Sequence, residues 1–452
     1  MAHSNDTHAV AIPLVKNFTF TGGMRITLLV GMAIGLLSLV LTYFGDDGTH
    51  TRFWSNLLHN SVFFTGIALM AGFFMCASIT AWAGWYTTFK RVWESMSLFL
   101  IVGLVFMLII GIGVWQGWNH LYHWADADTV VNDTIINGKA GFLNSGWYLG
   151  GTVIFGGIWY LILSRIRGLS IAEEKNGNDS TYNYHQKIRV WAVAYLPLAG
   201  FGSAALVWLW IMSVDAHWYS TLFAWYCGAS WFVSMISMTL MLLIFLKGRG
   251  YFSSVTPEHI HDIGKLIFAF SIFWTYLWFS QYMLIWYANV GEETIYFKHR
   301  MDNYPILFYG NIVINFLLPF FVLMRNSTKR KFGSVGFIAF VVFIGHWLDF
   351  FLMIKPGVLH TAHELGGHGH GHGGHGEAAA HGGGHGGHEA VGHAAEHVSH
   401  FTSGFTLPGF LEIGTFIGFL SLFLFFVLYS LSRASLQSEN DPYYYESLQH
   451  HT

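Results

Sequence analysis

An acid, an imidazole and a phenol fall within five residues in Ser213-Val-Asp215-Ala-His217-Trp-Tyr219-Ser220, between two long apolar stretches. Each can exchange a proton, and such groups are costly beside hydrocarbon, so their grouping points to proton handling. A second pair, His346 and Asp349, stands three residues apart inside another apolar stretch, which puts both on one helical face. Asp349 reads as the only acid well inside such a stretch, and His346 as the only deep histidine of 26. Amides and hydroxyls lie in neighbouring stretches at Ser230, Ser234, Ser237, Gln281, Asn311 and Asn315, and Glu412 opens the last one. Titratable groups in series, with hydroxyls and amides between them, suit a proton path or a site for a quinol headgroup.

The plainer reading is packing. Serines and asparagines often bond across membrane helices for about 0.6–2 kcal/mol, and that reading is preferred for them here. For Asp349 with His346 the functional reading is preferred, because a lone buried carboxylate is expensive. Asp215 and His217 sit where water can reach, and both readings stay open.

The elements that must position these groups follow from composition. Of 452 residues, 53% are hydrophobic and only 10% charged, too few charges to cover a water-soluble surface. Ten apolar windows can each cross a bilayer core of about 30 Å: 24–44, 60–83, 97–117, 146–164, 190–212, 218–246, 263–289, 304–324, 334–354 and 409–431. The chain is therefore expected to be an all-α, polytopic membrane protein. Residues 1–23 show no cleavable-signal pattern, so 24–44 reads as a retained span.

With ten spans, 17 of the 22 lysines and arginines fall on the side of the termini and five on the other: Arg52, Lys139, Lys298, Arg300 and Lys355. Positive loops stay inside, so residues 1–23 and the tail 432–452 are expected in the cytoplasm. Residues 355–408 become an external loop carrying 12 histidines between His360 and His400, too rich in glycine to bury a core. It reads as a flexible insertion, with metal capture as the alternative. Gly150, Gly151, Gly156 and Gly157 are expected at helix contacts. Trp82, Trp85, Tyr86 and Trp93 are expected as interfacial anchors. Pro319 is expected to bend its helix, and the Asp441-Pro-Tyr443 tail to fray.

Two cysteines, Cys76 and Cys227, cannot ligate an iron–sulfur cluster, and no Cys-x-x-Cys-His motif offers covalent haem attachment. One deep histidine does not supply a bis-histidine haem site. No redox cofactor is expected in this chain.

The run Trp210-Ile-Met-Ser-Val-Asp215-Ala-His217-Trp, with Gly264-Lys-Leu-Ile-Phe-Ala-Phe and Phe279-Ser-Gln281-Tyr-Met-Leu-Ile-Trp-Tyr287, resembles the NrfD-like (polysulfide-reductase-like) membrane subunits of alternative complex III. That complex is a bacterial quinol:cytochrome c oxidoreductase, and the resemblance is nearest to its F subunit. It runs over the ten spans, is most specific over residues 210–294, and omits the histidine-rich loop.

The resemblance implies two four-helix bundles, spans two to five and six to nine, flanked by spans one and ten. It also implies a bacterial inner-membrane location. The implied partners are a related NrfD-like C subunit, an iron–sulfur subunit and c-type cytochrome subunits that carry the clusters and haems, with quinol or quinone in the complex. The implied role is assembly and proton conduction. That role maps onto Asp349, His346, Asp215 and His217 as relay groups, with Tyr219, Gln281, Asn311, Asn315 and Glu412 as polar lining. The rival expectations are a purely structural subunit and a metal-ion transporter with a histidine-rich collector.

Overall fold

Ten helices long and apolar enough to cross a membrane run through the computed structural model, which describes residues 17–46, 48–178, 183–367 and 404–451. They are α1 (Gly22–Phe44), α2 (Thr51–Thr80), α3 (Thr87–Trp115), α4 (Ser145–Asn176), α5 (Tyr184–Trp210), α6 (Leu222–Lys247), α7 (Pro257–Ala288), α8 (Pro305–Leu323), α9 (Phe332–Ala362) and α10 (Phe410–Leu431). In hydrocarbon a helix satisfies its own backbone polar groups, which is why apolar runs of this length take that form. The chain is an all-α polytopic membrane protein.

Helix ends are set by local chemistry. Asn144 and Asn183 each cap the next helix by accepting from an amide three residues on, Trp147 and Gln186. Thr256 and His259 form a reciprocal capping box, with Pro257 at the first helical position. Gly177 at φ 69° ends α4.

The helices form two rings. α2 packs on α3, α3 on α4, α4 on α5 and α5 back on α2; α6, α7, α8 and α9 close a second ring in the same way. α2 meets α6 and α9, and joins the rings. This is the expected pair of four-helix bundles. α2, α6 and α9 bury most of their surface, while α1 leaves most of its own exposed.

The flanking helices α1 and α10 pair along small residues that the sequence reading passed over. Gly31-x-x-x-Gly35 faces Gly414-x-x-x-Gly418 in antiparallel register, with Gly31 on Ser421, Gly35 on Gly418 and Ser38 on Gly414. A Cβ on Gly35 would lie 2.3 Å from the Gly418 Cα, where no rotamer change gives relief. Gly418→Val should therefore part α1 from α10 and lower stability by about 1–3 kcal/mol. Gly150→Ala, which meets nothing within 4 Å, should be neutral. Thermal unfolding in detergent compares the two, and equal midpoints would refute the pairing. Of the four glycines expected at contacts, only Gly151 and Gly156 meet another helix.

Several boundaries differ from expectation for physical reasons. α2 begins nine residues before the expected window, because Trp54, Ser55, Asn56 and His59 are buried inside the protein and need no lipid-like character. His346 is therefore not the only deep histidine: His59 is buried too, its Nε2 bonded to the Trp347 carbonyl at 2.9 Å. α3 likewise starts early and buries Glu94 at 2% exposure, so Asp349 is not the only acid within a span. The helix of α9 continues to Gly367, past the expected loop start at 355. Trp93 and Tyr86 are not interfacial anchors: both are buried, stacked 5.2 Å apart, whereas Trp82 is exposed beneath the Arg189 guanidinium. Residues 1–16 and the histidine-rich run from 368 to 403 lie outside the described residues.

The tail does not fray. Asn17 bridges to Ser435, so both ends of the described chain lie on one side. Asp441 bonds the Lys90 ammonium, Ser447 donates to the Trp85 carbonyl at 2.7 Å, and Tyr444 is buried. Burial alone would raise the Asp441 pKa, but the Lys90 charge and hydrogen bond, with the Tyr443 amide, hold it below its ordinary value. A depressed carboxylate stabilises the folded form above its ordinary pKa, and that contribution is lost as pH falls through the lower folded value. The tail should stay docked at neutral and mildly acidic pH and loosen below about pH 4. Hydrogen exchange over residues 432–451 against pH reads this, and protection unchanged down to pH 3 would disprove the contribution.

Candidate functional site

The centre of the second ring is polar, and Asp349 is its hub. α9 carries Asp349 and His346, α6 carries Tyr226 and Ser230, α7 carries Trp274, and α8 carries Asn311 and Asn315. Oδ1 of Asp349 accepts from the Tyr226 hydroxyl and from Asn311 Nδ2 (2.6 Å); Oδ2 accepts from Ser230 Oγ (3.0 Å) and Trp274 Nε1 (2.9 Å). Four donors satisfy the two oxygens, which explains how the side chain sits fully buried with no cation bonded to it among the described residues. Asn315 Nδ2 donates to Asn311 Oδ1 at 2.5 Å, orienting the amide that serves Asp349.

The backbone of α8 is shaped for this. Pro319 has no N–H for the Asn315 carbonyl, and residues Val313–Leu317 wind as a π-helical turn just before it. Gly345 lets α8 approach α9: a Cβ there would come 2.1 Å from Asn315 Oδ1.

His346 joins through Ser230. Its Nδ1 lies 2.9 Å from Ser230 Oγ and 3.9 Å from the Asp349 carboxylate. Ser230 has one proton, and it is donated to Asp349 Oδ2. Network logic then assigns the Nδ1–H tautomer to His346, which donates to Ser230. The Nε2 of His346 is buried and has no hydrogen-bond partner among the described residues. A proton taken at Nε2 could leave from Nδ1 to Ser230, and from Ser230 to Asp349.

On the other side of Asp349, Tyr226 borders a cavity of about 10 Å3, the least that holds one water. Gln281 and Arg300 line it too, and the Oε1 of Gln281 is buried with no hydrogen-bond partner among the described residues. Arg300 comes from the Gly291–Asn303 helix and leads outward. Its Nη2 bonds Asp215 Oδ2 at 2.8 Å, and its Nε takes the Leu352 carbonyl at 3.0 Å. That carbonyl is available because Pro356, four residues on, brings no N–H.

A stack of Trp218, Tyr296 and Arg300 holds the guanidinium in place, with Trp218 3.9 Å from Tyr296 and the guanidinium 3.4 Å over Tyr296. Burial alone would lower the Arg300 pKa, but Tyr296 and Asp215 hold it above its usual value, so Arg300 stays charged. Gly357 leaves room for the Asp215 carboxylate, which a Cβ would meet at 2.8 Å.

The Asp215, His217 and Tyr219 trio does not form one constellation. Asp215 turns inward to Arg300, while His217 bonds Asp133 at 2.5 Å and Tyr219 is exposed beside the Lys139 ammonium. The 3-10 turn over Met212–Asp215 ends at Asp215, and His217 and Tyr219 follow it in the connection to α6. Burial alone would raise the Asp133 pKa, but the His217 hydrogen bond and two helix amides hold it below the usual range. Glu412 also stands apart from the Asp349 centre. It takes Arg52 in a bidentate pair at 2.8 and 2.9 Å and Asn56 at 3.0 Å, and Asn56 in turn accepts from the buried Lys355 at 2.6 Å.

So Asp349, His346, Asn311 and Asn315 come together, Gln281 and Asp215 join outward of them, and His217, Tyr219 and Glu412 do not. Sequence reasoning missed Tyr226, Trp274, Arg300 and Lys355, and placed Ser230 with the packing serines. Tyr226 and Ser230 are four apart on one face of α6, a signal in the spacing. Arg300 sits in what reads as a short loop and gives none.

The fold and the site define a polytopic helical membrane protein with a buried, hydrogen-bonded carboxylate at the centre of its second bundle. No protein-family model matches the chain, and no curated protein matches its sequence.

Proposed function

We propose that this chain is a membrane subunit of a respiratory quinol:cytochrome c oxidoreductase of the alternative complex III type. It lies in a bacterial inner membrane with both termini cytoplasmic, and conducts protons through its second bundle. The observation that carries the reading is the series His346, Ser230, Asp349, Tyr226, the one-water cavity, and then Arg300 with Asp215. In it every group can give or take a proton, or orient one that does. The resemblance over residues 210–294 and the two-ring architecture support the family. Iron–sulfur and c-type haem subunits would then supply the redox centres, and the related C subunit the neighbouring membrane surface.

Purification of the native protein in mild detergent, read by absorption spectrum and subunit composition, tests the reading. Co-purifying c-type haem and iron–sulfur chains, with quinol-dependent cytochrome reduction, is the expected result. A colourless chain that emerges alone would overturn it.

One observation favours metal handling as a second reading. His217, His123, His360 and His299 form a row at the root of the histidine-rich stretch, with successive ring centroids 5.8, 6.0 and 6.2 Å apart. Metal transport that vanishes in His123→Ala and in His360→Ala would establish that reading instead.

A further inference from the structure

A groove of about 510 Å3 runs between the flanking helices and the second bundle, and none of the groups bonded to Asp349 lines it. Its walls are apolar: Leu28 on α1, Met241 and Phe245 on α6, Phe343 on α9 and Leu424 on α10. It exists because α1 leans on α10 through the glycine pairing and makes no extended contact with α6. One end is different. Arg249, just past the end of α6, lines it on the side of the chain termini, exposed and lying over the Phe245 ring at 4.6 Å. No described carboxylate pairs with Arg249. Thr21 and Gly23, at the start of α1, line the groove as well, and the Thr21 hydroxyl does not cap that helix.

A slot for hydrocarbon that ends in a cation and the positive end of a helix is complementary to one kind of membrane molecule. We propose that the groove holds an anionic phospholipid, with an acyl chain along α1, α6, α9 and α10 and its phosphate at Arg249. The occupant fills the slot between α1, α6, α9 and α10. It adds to the Thr19 amide–Tyr251 hydroxyl bond of 3.3 Å and the Phe18–Tyr251 ring contact in holding the α1–α10 pair to the second bundle on the side of the termini. The residues that line the groove are not members of the proposed proton path.

The test is native mass spectrometry of the full chain, delipidated in detergent and then titrated with phosphatidylglycerol or phosphatidylcholine. The expected result is one phosphatidylglycerol retained under conditions that strip other lipid, with phosphatidylcholine held at least tenfold more weakly. Arg249→Ala should lose the preference for phosphatidylglycerol, and Arg249→Lys should keep most of it. Met241→Trp fills the slot while leaving the charge, and should abolish retention of either lipid. Size-exclusion profiles show that each variant is folded. Equal retention of the two lipids by the parent protein, or an unchanged preference in Arg249→Ala, would overturn the proposal. So would retention unaffected by Met241→Trp, since the lipid would then lie elsewhere.

Discussion

Asp349→Asn should give a folded, assembled protein whose proton-coupled turnover falls by about 100-fold or more. Asparagine keeps the size of the side chain, and its carbonyl still accepts from Tyr226 and Asn311. Its amide nitrogen replaces Oδ2, however, so the Ser230 hydroxyl must turn to His346 Nδ1 and the Trp274 N–H loses its acceptor. One unsatisfied buried donor costs about 1–3 kcal/mol, which a protein with two interlocked bundles can absorb. On the proposed path, what asparagine cannot replace is a group that takes a proton from Ser230 and passes one to Tyr226.

Proton release by the complex in proteoliposomes, followed with a pH dye beside quinol oxidation, reads the two quantities separately. Full turnover and unchanged proton stoichiometry would remove Asp349 from the mechanism and favour the structural reading. Asp349→Leu is a poor substitute for this test. It would strand four buried donors at once, on Tyr226, Ser230, Trp274 and Asn311, and a loss of activity would report unfolding.

Glu94→Ala carries the largest expected loss of stability, about 3–5 kcal/mol. Glu94 is buried on the termini side, where Arg91 Nη1 reaches it at 2.8 Å and Arg167 Nη1 at 3.4 Å. The cluster continues through Lys90, which bonds Asp441 and lies 3.5 Å from Glu173, so three buried cations meet three carboxylates. Removing Glu94 leaves two guanidinium groups buried without their carboxylate. Arg91 keeps Ser170, and Arg167 keeps Ser95 and the Ser430 carbonyl, but hydrogen bonds to neutral groups do not replace the charge. Glu94→Gln retains an acceptor and should cost less. Chemical denaturation in detergent measures both, and a Glu94→Ala midpoint within error of the parent would show that the cluster contributes nothing net.

Lys90, Glu173, His185 and Asp441 illustrate why position alone does not make a site. Glu173, His185 and Asp441 bring donor atoms within 4.8 Å of one another, a spacing a metal ion could use. The Lys90 ammonium already lies among the two carboxylates, as an internal cation where a metal would go. The tail is folded against the bundle by this arrangement, and the sequence reading had it loose because a few polar residues at a terminus carry no periodic signal.

The ten helices and their all-α class were legible from composition and window length, because crossing hydrocarbon demands long apolar runs and admits few backbone forms. That Asp349 and His346 would need polar partners was legible for the same reason, because a polar group inside such a run must be satisfied there. Their partners were not. Tyr226, Trp274 and Asn311 lie 123, 75 and 38 residues from Asp349 in the chain, and nothing local says which faces of α6, α7 and α8 close around it.

Adjacency in sequence misled at Asp215, His217 and Tyr219, whose side chains go to Arg300, Asp133 and Lys139 respectively. It also misled at His59 and Glu94, where protein rather than lipid surrounds the helix and polar residues lie outside any apolar window. What the sequence determined alone is the solvent each segment requires. Only the tertiary structure decided which buried polar groups meet, because hydrogen bonds act over about 3 Å and the helices that supply them are placed by packing.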